Sequence, residues 1–358
     1  MVALDLDEMQ QMLQELAHQF ALDEIRPNAE YWDKESEYPL QAIKAADELG
    51  LLNLHIPEEY GGAGLGSMEE VVVTEELAWG DPGFATAAYA TSLAIAPIIT
   101  GGTEEQKQKW LRKVAEEGAL ASYCVTEPQA GSDVASIATT ATKDGVDYII
   151  NGEKMFITGA GYADFFFVLT KTDSAAGYKG MSGFVVESNA EGVSLGKKES
   201  NMGQRCSDTR SVIFNNVRVP ASQLIGGSES GGWMNAMNAF DMSRPNIAAQ
   251  ATGLARAAFE HALQYSDERE TFGQKLHQHQ AIQFMLADMK TKVEASRLLT
   301  WKSAALADAG QKNTEAAAHA KRFAADAAME VSTDAVQVFG GYGYSEEYPV
   351  ARLMRGAK

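Results

Sequence analysis

Residues 123–133 combine small, hydroxyl-bearing and acidic side chains at the end of a predicted strand. The strand ends at Glu127-Pro128, and the chain then turns through Gly131, Ser132 and Asp133. A turn of small residues exposes backbone amides and hydroxyls, which suit an anionic group or a polar ring system. The same residue types also build an ordinary β-turn that its own Ser and Asp side chains stabilise. The segment therefore predicts either a ligand-binding turn or a structural one.

Two further segments place aromatic residues beside glycines. At residues 156–161, Phe156 and Thr158 stand at a predicted strand end, where a ring and a hydroxyl could stack on and hydrogen-bond a flat cofactor. A strand closed by a glycine turn is the alternative there. At residues 337–344, three glycines in four residues end a helix, although termination needs only one left-handed glycine. The surplus predicts that something approaches this backbone closely.

The elements that carry these segments follow in the order helical, β-rich, helical. Apolar residues recur at helical spacing over residues 1–118 and again over 229–358, and short β-rich runs separated by turn signals fill 119–228. Strands without intervening helices predict an α+β protein with a small antiparallel barrel or sandwich between two helical domains. One turn signal, Asn151-Gly152, predicts a hairpin between two of these strands.

Composition and charge exclude several function classes. The 358-residue chain has 49 Asp and Glu against 30 Lys and Arg, a net charge of −19. Such a field repels phosphate backbones and argues against nucleic acid as a partner. Cys124 and Cys206 fit neither a disulfide framework nor a zinc pattern, so we expect two buried cysteines and no metal site. Residues 82–103 carry no charge but are mostly small, which predicts a buried core helix rather than membrane insertion.

Four motifs, in order along the whole chain, resemble those of the acyl-CoA dehydrogenase family of flavoenzymes. Residues 124–133 resemble the family's first signature and residues 337–344 its second. Residues 201–210 (NMGQRCSDTR) and 269–273 (RETFG) are typical of its medium- and short-chain branch. The resemblance implies an N-terminal helical domain (1–118), a β-domain (119–228) and a C-terminal four-helix bundle (229–358).

The resemblance also implies FAD as the cofactor. Thr126 would bond the flavin ring, and Thr158 would lie near its reactive nitrogen. Arg269, Phe272 and Gln280 resemble residues that meet the adenosine and pyrophosphate portion across a subunit boundary. The implied cofactor contacts are, in full, Tyr123, Val125, Thr126, Gly131, Ser132, Phe156, Ile157, Thr158, Arg269, Phe272, Gln280, Gln337, Gly340 and Gly341.

For the substrate, the resemblance places Ser132, Asp241 and Arg244 near coenzyme A. A structural ion pair with a nearby acid is the alternative for Arg244. Tyr89 stands where medium-chain relatives have a smaller acid at the floor of the acyl pocket. We therefore expect Tyr89 to favour short or branched acyl groups, unless it is an ordinary core residue. The implied reaction removes the α-proton of an acyl-CoA thioester while a β-hydride passes to the flavin, which gives the trans-2-enoyl-CoA.

The catalytic base is the one role that no residue of the sequence fills. In the medium- and short-chain branch it is a glutamate shortly after the segment that here reads Arg355-Gly356-Ala357-Lys358. Another branch places it where this chain has Ser243, which cannot act as a carboxylate base. We therefore expect the glutamate to lie beyond Lys358 and the bundle to be incomplete at that end, with genuine loss of the base as the alternative. Gly356 also departs from the family, which usually has Asp there.

The resemblance implies a homotetramer that passes electrons to an electron-transfer flavoprotein. The acidic N-terminus lacks the features of a signal peptide, so we expect a cytoplasmic bacterial protein rather than one of the mitochondrial matrix. Two other functions are alternatives that the sequence allows: a flavin oxidase on the same fold, and a non-catalytic protein that binds FAD or acyl-CoA.

Overall fold

The computed structural model describes residues 5–358, which begin with a group of helices. Local signals set their ends: Asp7 accepts a hydrogen bond from the backbone of Gln10 at the start of α1, and Thr103 caps α6 in the same way. A π-helical turn, Ala21–Ile25, joins the first two helices. The helices are α1 (Glu8–Phe20), α2 (Arg26–Glu35), α3 (Leu40–Glu48), α4 (Ser67–Gly80), α5 (Pro82–Gly101) and α6 (Glu104–Glu117).

Helix α5 is the core helix that the sequence predicts. Within residues 5–358 it is the one helix long and apolar enough to cross a membrane, and 67% of its most apolar window is buried inside the protein. Its small side chains allow close packing against α4, the later helix α7 and the first strand. The helix therefore connects the N-terminal helices with both of the parts that follow.

A seven-stranded sheet forms the middle of the chain. Its strands are β1 (Ala121–Cys124), β2 (Thr140–Asp144), β3 (Asp147–Ile157), β4 (Phe165–Lys171), β5 (Met181–Glu187), β6 (Val193–Lys198) and β7 (Arg210–Pro220). The order is β1-β4-β2-β3-β7-β6, with β5 paired to β4. The predicted antiparallel character needs a correction, because β4 pairs with both β1 and β2 in parallel. The chain between these partners contains other strands, β2 and β3 for the first pair and β3 for the second, so alternation within single strands does not reveal the pairing.

Strand β3 differs from its prediction at Asn151-Gly152. These residues form no hairpin; the strand continues through them, and its register against β7 shifts between Ile150 and Gly152. The reason is packing, because a Cβ at Gly152 would lie 2.4 Å from Thr139 Oγ1. The glycine thus marks a bulge at a close approach of two backbones. The single long strand carries Phe156 and Ile157 at its end.

The predicted C-terminal helical part is confirmed. Helices α7 (Gly232–Glu268), α8 (Gln280–Asp308) and α9 (Thr314–Phe339) pack against one another, and the short α10 (Pro349–Ala357) packs on α7 and α9. A two-stranded hairpin, β8 (Glu270–Thr271) and β9 (Gln274–Lys275), joins α7 to α8. Buried alanines dominate the contacts of α7 and α9, which brings the helices close together.

Candidate active site

The ends of β1 and β3 lie side by side, and they carry two of the segments that the sequence singles out. The amide of Met155 donates a hydrogen bond of 2.8 Å to the carbonyl of Thr126. Tyr123 stacks on Phe167 with ring centroids 5.0 Å apart, and its hydroxyl donates to the carbonyl of Ala236 in α7 at 3.4 Å. The fold therefore brings Tyr123 and Thr126 next to residues 156–158, from a different strand.

Phe156 adopts a backbone conformation that is unusual for its residue type. Its φ is +58°, and 59% of the residue is exposed, whereas the next residue, Ile157, is buried. The following carbonyl, that of Thr158, accepts a hydrogen bond of 2.7 Å from the hydroxyl of Ser122. A left-handed aromatic residue held outward at a strand end is the kind of strained position that clusters at ligand sites.

The other predicted contacts near β1 differ in what they can offer. Gly131 and Ser132 lie exposed in the turn, and a Cβ at Gly131 would meet nothing within 4 Å. Val125 is different because its side chain is buried in the core, so only its backbone could face a ligand. Asp133 bonds the hydroxyl of Ser136, which is the self-stabilised turn that the sequence offered as an alternative. The outer side of this turn is thus open at Gly131 and Ser132.

A second group of predicted residues lines one surface cavity of about 550 Å³. Arg269, Gln337, Gly340 and Gly341 all contribute to its wall, together with the stacked rings of Tyr265 and Phe339. Phe272 and Gln280 are not in this wall; Phe272 lies at the tip of the β8–β9 hairpin with φ +52° and 98% of its surface exposed. The cavity combines a cation, an amide and bare backbone, which suits a nucleotide-like ligand.

The glycines of this cavity have different structural reasons. Gly340 has φ +62° and ψ −135°, a region open essentially to glycine alone. At Gly343 a Cβ would lie 2.5 Å from the carbonyl oxygen of Val336, so packing requires that glycine. Gly341 has neither constraint, since its φ is not positive and a Cβ there would meet nothing within 4 Å. Gly341 is therefore the surplus glycine: neither its backbone conformation nor packing within the chain requires a glycine there.

The predicted coenzyme A contacts on α7 form an ion pair. Arg244 pairs with Asp241 one turn earlier, and Asp241 also accepts a hydrogen bond of 2.7 Å from Thr314 at the start of α9. This is the structural alternative for Arg244. Ser243, between them, is buried and donates to the carbonyl of Phe240 at 3.2 Å. Through Thr314 the pair joins α7 to the start of α9, and both of its side chains stay partly exposed.

Tyr89 belongs to a buried polar network that sequence reasoning missed. The amide of Asn246 donates to the Tyr89 hydroxyl at 2.8 Å and to Glu70 at 3.0 Å, and His55 pairs with the same carboxylate. Burial and the nearby Glu70 raise the pKa of Tyr89 well above its ordinary value. Burial alone would raise the pKa of Glu70, but His55 and Asn246 outweigh it, so that pKa is lowered. Spacing gave no signal for this network, because its members come from distant elements.

Asp208, within the NMGQRCSDTR motif, holds the turn after β3. Its carboxylate accepts a hydrogen bond of 2.9 Å from the amide of Gly161 and pairs with Arg210 at 3.0 Å. The amide of Gly159 donates to the carbonyls of Ser207 and Asp208. The motif thus fixes the turn that follows Thr158. In the sequence, the place of Asp208 within this motif is the only signal for this role.

The two cysteines are buried and unpaired, as the sequence predicts. Burial raises the pKa of both thiols, so neither is a ready nucleophile. Among residues 5–358 there is no group of three or more His, Cys, Asp and Glu side chains arranged to hold a metal ion.

Models of three consecutive domains match the chain. They are the acyl-CoA dehydrogenase N-terminal domain over residues 7–118, the middle domain over 122–217 and the C-terminal domain over 230–358. The chain belongs to the acyl-CoA dehydrogenase family. Members of this family are FAD flavoproteins that dehydrogenate acyl-CoA thioesters, and FAD is the cofactor of this enzyme.

Individual acyl-CoA dehydrogenases are similar over nearly their full length. A probable medium-chain specific acyl-CoA dehydrogenase 2, mitochondrial, of Caenorhabditis briggsae is 42% identical, over 100% of this chain and 87% of the relative. The structure of butyryl-CoA dehydrogenase from Megasphaera elsdenii matches with a TM-score of 0.96 at 41% identity, over 99% of this chain and 94% of that one. A chain in a structure of the electron transferring flavoprotein of Acidaminococcus fermentans matches with a TM-score of 0.97 at 43% identity, over 99% and 93%.

The residues present fit the family's cofactor. Gly341 leaves its backbone open without a reason internal to the chain, and it lies in the same cavity wall as Arg269 and Gln337. A guanidinium and bare backbone amides are groups that bind a pyrophosphate. Near β1 and β3, the exposed ring of Phe156 and the half-buried hydroxyls of Thr126 and Thr158 can meet a flat ring system.

Proposed function

We propose that this acyl-CoA dehydrogenase acts on short or branched acyl-CoA thioesters in fatty-acid β-oxidation. The observation that carries the proposal is Tyr89, which its hydrogen bond to Asn246 fixes in place between α5 and α7. A tyrosine fixed by a neighbouring helix cannot swing away to admit a long chain, whereas a free side chain could. The relatives with butyryl-CoA and medium-chain names leave both chain-length classes open.

We propose that the chain has the three domains that the sequence predicts, at 1–118, 119–228 and 229–358, and that different segments bind different parts of the cofactor. Thr126 and Thr158 would hold the flavin ring, with Tyr123, Phe156, Ile157 and the turn at Gly131 and Ser132 around it. Bound FAD supplies the acceptor for the β-hydride. Arg269, Gln337, Gly340 and Gly341 would hold the pyrophosphate and adenosine portion, with Phe272 and Gln280 reaching that portion in a neighbouring copy. The exposure of Phe272 supports that last role, because its own chain leaves 98% of its surface uncovered.

The substrate contacts form a second part of the proposal. Ser132, Asp241 and Arg244 would lie near the coenzyme A portion. The ion pair with Asp241 would hold Arg244 in position for its contact with coenzyme A. Backbone and hydroxyl groups near these substrate contacts would polarise the thioester carbonyl. The reaction needs this polarisation, because the α-proton is otherwise too weakly acidic for a carboxylate base. The base would be a glutamate, as the family resemblance implies.

We further propose a homotetramer in the bacterial cytoplasm that delivers electrons to an electron-transfer flavoprotein. The similarity to a chain in a structure of the electron transferring flavoprotein of Acidaminococcus fermentans supports this partner. The wide cavity at Gly341 and the exposed Phe272 support an assembly in which copies complete each other's cofactor sites.

Flavin spectroscopy of the purified protein tests the proposal. We expect flavin absorption bands, which bleach when butyryl-CoA is added without oxygen and which octanoyl-CoA bleaches more slowly. Reoxidation by air should be slow and give little peroxide. Rapid peroxide formation would favour an oxidase, and bound flavin that no acyl-CoA bleaches would favour a binding protein. A clear preference for octanoyl-CoA would contradict the proposed chain length.

A further inference from the structure

A fully buried lysine joins the ends of β1 and β3. Lys154 has 0% of its side chain exposed, two residues before Phe156 on β3. Its ammonium lies 2.7 Å from a carboxylate oxygen of Glu127 and donates to the carbonyl of Val125 at 3.1 Å. Lysine is almost never buried without a partner, so this contact requires an explanation. Both partners lie in the segment 123–133, and Lys154 itself precedes the segment 156–161 by two residues.

The carboxylate of Glu127 also closes the loop between β1 and β2. It accepts hydrogen bonds from the amides of Ala138 at 2.5 Å and Thr139 at 3.0 Å, and from the side chain of Gln129 at 2.7 Å. The loop closed in this way contains Gly131 and Ser132. One acid therefore gathers the end of β1, the small-residue turn and β3 around a single point.

The charges of the pair depend on each other. Burial alone would raise the pKa of Glu127, but Lys154 and the amide of Ala138 outweigh it, so that pKa lies below its ordinary value. A buried charge that loses its partner is strongly unfavourable, whereas replacing both charges by neutral groups is often tolerated. The pair therefore differs from a surface ion pair, whose removal has little effect.

We propose that Glu127 and Lys154 are positioning residues for FAD. Neither side chain reaches the surface; their ion pair holds Thr126, the turn at Ser132 and the Phe156–Thr158 strand end in one mutual arrangement. The inference rests on the proposed flavin contacts. It adds that the geometry of those contacts is set by a buried charge pair and not by the sheet alone, since β1 and β3 are not neighbours in the sheet.

The decisive variant is Glu127→Asp, which keeps the charge but shortens the side chain by one methylene. A second variant, Glu127→Gln with Lys154→Met, removes both charges together and guards against misfolding from a lone buried charge. Phe214→Leu is the matched control, because Phe214 is a buried core residue of the same sheet that lies on β7, opposite Gly152, and belongs to neither segment. For each purified holoprotein we would measure the dissociation constant of FAD, the visible spectrum of bound flavin and the melting temperature.

We expect Glu127→Asp and the double variant to bind FAD about tenfold or more weakly at 25 °C, with a shifted flavin absorption maximum, while both stay folded. Phe214→Leu should lower the melting temperature and leave FAD affinity and spectrum unchanged. The proposal would be overturned if Glu127→Asp kept the FAD affinity and the flavin spectrum of wild type. It would also be overturned if Phe214→Leu, at the same melting temperature as Glu127→Asp, lost as much FAD affinity. If the wild-type protein itself bound no FAD near these segments, the proposed function would fail with it; unaltered variants of an FAD-binding wild type would overturn only the positioning role.

Discussion

The side-chain amide of Asn246 donates a hydrogen bond of 2.8 Å to the hydroxyl of Tyr89, across 157 residues of sequence. Asn246 in turn is fixed by Glu70, which His55 holds from the opposite side. A polar network of this kind is buried and satisfied at most of its atoms, so it defines one position for each member. The side chain of Tyr89 is therefore held in one position.

Replacing Tyr89 with alanine should lengthen the acyl pocket. We expect the ratio of kcat/KM for octanoyl-CoA to that for butyryl-CoA to rise about tenfold or more, because even one methylene in an apolar pocket is worth about 1–3 kcal/mol. The comparison is Tyr89→Phe, which keeps the ring but loses the hydrogen bond that fixes it, and which should raise the same ratio by a smaller amount than Tyr89→Ala. An unchanged ratio in Tyr89→Ala would rule out Tyr89 as the pocket floor.

Gly341→Ala should separate cofactor binding from folding. The new Cβ meets nothing within 4 Å in the protein, so the melting temperature without FAD should change little. If a pyrophosphate or ribose approaches this backbone, the methyl group should weaken FAD binding about tenfold, measured by titration of the stripped protein. Gly340→Ala provides the contrast, because its φ of +62° strains the protein itself and should lower the melting temperature without FAD. Normal FAD affinity in Gly341→Ala would remove the main support for a cofactor contact there.

Gly161→Ala should destabilise the turn after β3. A Cβ at this position would lie 2.5 Å from a carboxylate oxygen of Asp208, which the amide of Gly161 and the side chain of Arg210 hold in place. We expect a loss of about 1–3 kcal/mol in the free energy of unfolding, as for other overpacked sites, measured by denaturant titration. Gly131→Ala is the matched comparison, since its Cβ has open space and its unfolding free energy should stay within about 0.5 kcal/mol of wild type. Equal values for the two variants would show that Asp208 can move.

The pH dependence of stability should include a contribution from His261. Burial, together with Arg26 and Arg352, lowers the pKa of His261 from 6.5 to about 4. Between these two pKa values the unfolded chain binds more protons than the folded one, so stability falls as the pH falls through this window. From pH 7 to pH 5 this residue should remove about 2 kcal/mol. In denaturant titrations wild type should therefore lose about 2 kcal/mol relative to His261→Gln between pH 7 and pH 5, and parallel profiles would contradict the assignment.

Local spacing was sufficient to predict the order of helices and strands, the two glycine-rich signatures and the family. Helix periodicity and capping act over a few residues, so the sequence of Glu104–Glu117 or Thr314–Phe339 specifies its own helix. The family resemblance likewise depends on residue types at fixed spacings. The same local rules were wrong at Asn151-Gly152, where a turn signal marks a bulge that only the approach of Thr139 explains.

The tertiary structure decided which side chains meet. Lys154 and Glu127 are 27 residues apart, and Tyr89 and Asn246 are 157 apart, so no periodicity relates them. The parallel pairing of β1 with β4 also follows from the fold. The physical reason is the same in each case: a buried charge or hydroxyl must find its partner wherever packing brings one, and packing is a property of the whole chain.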